Sequence, residues 1–124
     1  MADLELTLTY TNLGTPDVRR LVHFYAELLG WPAETDEPGW AVLHNPEGGP
    51  GLAFQAEPQH VRPVWPARPG DPQMTAHLEI RVSDLNAAST HALRCGATVA
   101  GFQPQPDVLV HLDPDGHPFC LYIE

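Results

Sequence analysis

The chain has no lysine. Six arginines face sixteen acidic residues, for a net charge of −10. Such a surface repels phosphate backbones and anionic lipid, which argues against nucleic acid and membranes as partners. No apolar run reaches the ~20 residues of a membrane helix. The opening Met1-Ala2-Asp3-Leu4-Glu5 lacks the charged-then-apolar order of a signal peptide, so a cytoplasmic protein is expected. Cysteine is scarce. Cys95 and Cys120 make neither a metal-ligand spacing nor a redox pair, and a cytoplasmic setting favours free thiols. There is no glycine-rich phosphate loop and no serine in a nucleophile elbow, which argues against phosphate cofactors and acyl-enzyme chemistry.

What is present is a repeat. Asn45-Pro46-Glu47-Gly48-Gly49-Pro50 precedes the apolar run Gly51–Phe54. Asp113-Pro114-Asp115-Gly116-His117-Pro118 precedes Phe119–Ile123, 68 positions on. Asp17 matches Asp84 and Gly30 matches Gly96 at nearly the same offset. A duplicated module of small size often builds one cleft from equivalent places in both copies.

Each copy reads as strand, helix and three strands. Leu4 to Thr11 alternates, with leucines on one face and Glu5, Thr7 and Thr9 on the other, which predicts a strand. Thr15 is the expected N-cap, with Pro16 in the first helical position and Asp17 in the first turn. Val18, Leu21, Val22, Tyr25, Leu28 and Leu29 form one apolar helical face, and Gly30 stops the helix. Strands are expected near 31–36, 39–44 and 51–56. The proline-punctuated stretch 58–74 reads as a semi-extended connector. In the second copy Ala76 to Val82 alternates, Ser83 or Asp84 caps a helix ending at Gly96, and strands are expected near 98–103, 107–112 and 117–123. At 124 residues the chain is one domain, 1–124, of two modules, about 1–57 and 75–124. The expected class is α+β: two tandem βαβββ modules, with a cupped mixed β-sheet and helices outside.

Three segments carry a family resemblance. Phe24-Tyr25-Ala26-Glu27-Leu28-Leu29-Gly30-Trp31, Ala76-His77-Leu78-Glu79-Ile80-Arg81-Val82-Ser83-Asp84-Leu85 and the Asp113–Gly116 turn resemble the vicinal oxygen chelate superfamily. That superfamily includes glyoxalase I, bleomycin-resistance proteins and extradiol dioxygenases. The Trp65-Pro66 connector with Gln73-Met74 is similar to a glyoxalase-like bacterial subgroup. The resemblance implies a site in the cupped sheet and a homodimer. It also implies a divalent metal held by a His or Glu on the first strand and a Glu on the last strand of each module.

Only His77, seven residues before Asp84, matches that ligand pattern. The last-strand glutamate falls on Cys120 and its first-module counterpart near Leu52. The first-strand position falls on Tyr10, or on Thr7 or Thr9 if the Asn12–Thr15 insertion shifts it. No metal or other cofactor is therefore expected, and a divalent metal is the alternative. The cleft is expected to be lined by Thr7, Thr9, His77, Glu79, His111, Cys120 and Tyr122. Glu79 is the candidate general base, against the plainer reading of an ion pair with His77 or Arg81. Trp40, Trp65 and Tyr122 suit either stacking on a planar ligand or core and dimer packing. His60 and His91 read as surface residues, and His117 as facing solvent. Two functions follow. One is a protein that binds a small organic molecule without a complete metal site. The alternative is a metal-dependent or acid–base lyase, isomerase or dioxygenase.

Overall fold

The computed structural model describes residues 4–33 and 37–124. They form an α+β protein with two mixed sheets and two helices. The chain divides into two compact units, Met1–Pro58 and Gln59–Glu124.

In the first unit β1 (Tyr10–Thr15) runs parallel to β3 (Gly51–Ala56), and β2 (Trp40–Leu43) pairs antiparallel on the other side of β3. The expected first strand is displaced. The ladder begins at Tyr10, with the Gly51 N–H donating to Thr9 O, because β3 itself begins just after the Asn45–Gly49 turn. Leu4, Leu6 and Leu8 lie before the ladder, 62%, 88% and 74% exposed, and pack under no helix. Trp31–Ala33 form no strand, and the rest of the expected strand at 31–36 lies outside the described residues.

Helix α1 (Val18–Leu29) is capped by Asp17, not Thr15. Thr15 is fully buried at the end of β1, and its hydroxyl accepts from the Asp17 N–H at 3.0 Å. That turn passes the capping role to the Asp17 carboxylate, which accepts from Arg20 N. Val18, Leu21, Val22, Phe24 and Tyr25 bury against Leu43, Leu52 and Phe54, with Tyr25 stacked on Phe54 at 5.9 Å. Each fully buried side chain of this size adds ~1.5–3 kcal/mol.

In the second unit the order is β4 (Leu78–Arg81), α2 (Leu85–Cys95), β5 (Thr98–Val99), β6 (Val108–Leu112) and β7 (Pro118–Tyr122). The sheet order is β4-β7-β6-β5, with β4 parallel to β7. Asp84 caps α2 through Ala87 N, as Asp17 caps α1. β5 is shorter than the 98–103 expected. Gln103 replaces the strand there: its amide donates to Ala100 O and Val110 O and accepts from Val110 N. One side chain thus satisfies backbone groups that a longer strand would pair.

The repeat is plainest in the turns. Asn45 Oδ1 accepts from Glu47 N and Asn45 O from Gly48 N. Asp113 Oδ1 accepts from Asp115 N and Asp113 O from Gly116 N. Gly48 and Gly116 take the same left-handed conformation, φ 89° and 86°, which side-chain-bearing residues disfavour.

The connector is built into the second unit. Val64 N donates to Pro72 O, Trp65 Nε1 to Phe102 O, and Arg62 Nη1 to Pro114 O. His60 donates to Asp115 O at 2.9 Å.

Candidate functional site

The β4–β7 ladder sets Glu79 directly beside Cys120 and Arg81 beside Tyr122. His77 precedes Glu79 by two residues, so by strand alternation it falls on the same side. Its Nε2 lies 2.5 Å from Glu79 Oε2, and its Nδ1 lies 3.3 Å from Met74 Sδ. Sulfur is only an acceptor, so Nδ1 donates to it. The close contact at Nε2 ties the ring to the Glu79 carboxylate. Ligand-type atoms of His77, Glu79 and Cys120 all lie within 4.8 Å of one another.

Cys120 is 7% exposed. Burial first, then the Glu79 charge and a hydrogen bond to Glu79, push its thiol up to about 11. The thiol is neutral at pH 7 and is a poor nucleophile. Glu79 stands between an imidazole and a thiol, a place where a carboxylate can hold or pass a proton. The Arg81–Glu124 pair at 3.5 Å is well exposed and adds little.

Cys120 also belongs to an apolar cluster with Ala100 and Val110, against which Trp65, Val108 and Leu112 pack. The polar trio therefore adjoins an apolar floor. Val110 and Val108 are paired across from Cys120 and Tyr122. These floor residues escape a reading by motif, since nothing in the sequence says which strand pairs with β7. Trp65 reaches the floor from the connector.

His111 lies elsewhere. It pairs with Phe119, one residue out of step with Cys120, and so points to the opposite face. There it is fully buried and stacked on Phe119 at 5.6 Å, with Nε2 2.9 Å from Ser89 Oγ of α2. Its Nδ1 donates to Leu109 O, so Nε2 accepts from the hydroxyl. Burial lowers its pKa from 6.5, and the Leu109 carbonyl opposes that in part. The unfolded chain therefore takes up a proton near pH 6.5 while the folded chain waits for a lower pH. This contribution to stability is whole above 6.5 and falls as pH drops through the window below it. His111→Gln should flatten that fall. Urea midpoints at about pH 8 and about pH 5 check it: an equal loss in both proteins would refute the assignment.

Thr7 and Thr9 belong to the first unit. They are exposed, and with Tyr10, His44 and the Asn45–Gly51 turn they border a shallow concavity. His44 meets the Tyr10 ring at 6.0 Å. Leu52 stands beside Thr11 and shares a side of β3 with Phe54, which stacks on Tyr25 of α1, so it lies on the helix side of its sheet, whereas Cys120 lies on the side away from α2.

His117 is not turned to solvent. Its Nδ1 lies 2.8 Å from Asp113 Oδ2, and its side chain is 17% exposed. The His60 ring, read from sequence as surface, lies 5.1 Å from it. The i,i+4 spacing of Asp113 and His117 across the turn is the signal that could have shown the pair.

The metal set implied by the resemblance needs hard oxygen donors from both modules. Tyr10, Thr7 or Thr9, with Leu52 and the buried thiol of Cys120, do not supply it, so the residues present do not fit that set.

Comparison with known folds places this architecture. A glyoxalase/bleomycin resistance protein/dioxygenase family enzyme from Burkholderia phytofirmans PsJN matches with a TM-score of 0.71 at 19% identity, over 95% of this chain and 98% of that one. A glyoxalase-related enzyme from Fulvimarina pelagi matches at 0.67 and 18%, over 95% and 88%. A possible glyoxalase from Bacillus cereus matches at 0.67 and 16%, over 95% and 99%. At such identities the likeness is one of fold, that of the vicinal oxygen chelate superfamily. A profile of the glyoxalase-like domain matches residues 10–122, and the chain belongs to that family. No curated protein matches it.

Proposed function

We propose that the protein binds a small organic molecule on the β4–β7 face of the second unit, without the family's hard-metal set. One observation carries this: His77, Glu79 and Cys120 converge beside the floor of Val110, Ala100 and Trp65. A few convergent polar groups against an apolar wall are what fix a ligand in place. The ligand class is a planar molecule with a hydrogen-bonding edge, the edge at Glu79 and the flat body along Trp65.

Quenching of tryptophan fluorescence by 4-nitrophenol and related planar phenols tests it. Saturable quenching should fall in Trp65→Phe and be lost in Glu79→Gln. Thermal stability of Glu79→Gln should stay within ~0–1 kcal/mol, because the side chain is half exposed. Quenching equal in Glu79→Gln and the parent would dismiss the site.

The close pairing of His77 with Glu79 favours a second reading, acid–base lyase or isomerase chemistry on an enolisable substrate. Glu79-dependent deuterium exchange into an α-hydroxyketone would support it over simple binding. The reading includes a homodimer, supported by the exposed leucine stripe at Leu4, Leu6 and Leu8. Light scattering giving only a 13.6 kDa species at micromolar concentration excludes the dimer. A reducing, cytoplasmic setting fits Cys95 and Cys120, which form no disulfide. No helix among the described residues is long and apolar enough to cross a membrane.

A further inference from the structure

We infer that His60 and His117 form a two-imidazole site for a borderline divalent ion of the nickel, copper and zinc type, which clips the connector to the turn before β7. Neither residue lies on a strand or belongs to the organic-ligand site, so the two sites stand or fail separately.

The ring centroids of His60 and His117 lie 5.1 Å apart, with the planes tilted by 40°. An ion about 2.0–2.1 Å from an imidazole nitrogen lies roughly 3.2 Å from the ring centre, so two rings on one ion stand roughly 4.5–5.3 Å apart at bond angles of about 90–110°. The observed separation falls within that span.

How each ring is held sets the pair apart from two surface histidines. His117 Nδ1 donates to the Asp113 carboxylate at 2.8 Å, which puts the lone pair of the neutral ring at Nε2. His60 Nε2 donates to Asp115 O at 2.9 Å, which puts its lone pair at Nδ1. A carboxylate behind one ring and a backbone carbonyl behind the other are the partners that fix tautomer and aim at metal-binding histidines. Both acceptors are rigid. The Asp113 carboxylate is fully buried and accepts from Asp115 N and His117 N, and the turn is closed by Gly116 N donating to Asp113 O. The last torsion of a histidine side chain is broad, so the swing that aims both lone pairs at one point breaks neither bond. The His117 side chain is 17% exposed and His60 is half-buried, which leaves an ion a way in.

The charged side chains on the turn and on residues 60–62 are Asp113, Asp115 and Arg62. Two carboxylates against one guanidinium leave the surroundings net negative, which favours a cation. Arg62 Nη1 is engaged on Pro114 O. Imidazole donors select nickel, copper or zinc over magnesium and calcium, which take oxygen. Water completes the coordination shell. The pair comes together only in the folded chain, so the ion stabilises the fold and ties the connector, which carries Trp65, to the turn that delivers β7.

The test uses the full chain, stripped with chelator and titrated with nickel(II). Nickel at about 100 times its Kd should raise the thermal midpoint by about 5–10 °C, and magnesium in the same excess should not. His60→Gln keeps a donor for Asp115 O and removes the ligand; it should weaken nickel by more than about 10-fold in calorimetry. Asp113→Asn should weaken it by roughly 10-fold, measured below the variant's own unfolding, where a purely structural turn residue would leave affinity unchanged. Paramagnetic nickel broadens nearby nuclei, so the imidazole signals of His60 and His117 should be lost first. His77 beside Cys120 and His91 beside Cys95 are the rival ligands. No binding at one equivalent, full affinity in either variant, or broadening that starts at His77 or His91 would overturn the inference. Loss of nickel binding with phenol quenching intact removes the ion site alone. Loss of quenching with nickel binding intact removes the organic-ligand reading alone.

Discussion

Asp113→Ala is expected to lower folding stability by about 3–5 kcal/mol, read from urea or thermal unfolding. The Asp113 side chain is fully buried. Its Oδ1 accepts from Asp115 N at 2.9 Å and His117 N at 3.0 Å, and both carboxylate oxygens meet His117 Nδ1, at 3.0 and 2.8 Å. Alanine leaves all three donors without their acceptor, two of them backbone groups in a tight turn. An orphaned buried polar group costs ~1–3 kcal/mol, so the losses accumulate. The damage extends along the chain. This turn delivers β7, and with it Cys120, beside Glu79. Asp113→Asn should be milder, about 1–2 kcal/mol, because an amide oxygen can still serve the backbone donors. Asn45 already does so at the matching turn of the first unit. A loss under ~1 kcal/mol for the alanine variant would show that the turn holds without its carboxylate.

Gly51→Ala is expected to cost about 3 kcal/mol or more, through overlap and not through backbone freedom. A Cβ at Gly51 would lie 2.2 Å from Leu43 O and 3.3 Å from the Leu43 carbonyl carbon. That oxygen is main chain, so it cannot swing aside as a side-chain tip would. Gly51 stands beside Tyr10 in the β1–β3 ladder, and Leu43 stands beside Leu52 in β2–β3. Relief must therefore move one strand of the only sheet described in the first unit. Gly101→Ala is the control, since nothing lies within 4 Å of its added Cβ. It should be neutral or stabilise by ~0.4–1 kcal/mol. Equal melting temperatures for the two variants would show that β2 yields without penalty.

Glu79→Gln asks a different question, since it should not move stability much. A protein that melts as before but no longer quenches has lost a site and kept its fold.

Local chemistry was written in local residues. Gly30 and Gly96, the Asx turns at Asn45 and Asp113, and the alternation of His77, Glu79 and Arg81 depend on neighbours within a few positions. Hydrogen bonds over that range form whatever the rest of the chain does. The strands 51–56, 108–112 and 118–122 fell within a residue or two of where alternation and turns put them. Even so, one cap shifted from Thr15 to Asp17, because burial of Thr15 at the end of β1 is a tertiary event.

Pairing over long separations was decided by the tertiary structure alone. Glu79 and Cys120 are 41 residues apart, and only the parallel β4–β7 register makes them neighbours. A slip of one residue would have turned Cys120 to the helix side and brought His111's partner, Phe119, to the polar face. The same register sent His111 beneath α2, beside Ser89. The docking of Trp65 and His60 from the connector, and the inward turn of His117, follow from which surfaces were left to cover. A sequence names the residues that can bond, but strand register and burial choose which of them meet.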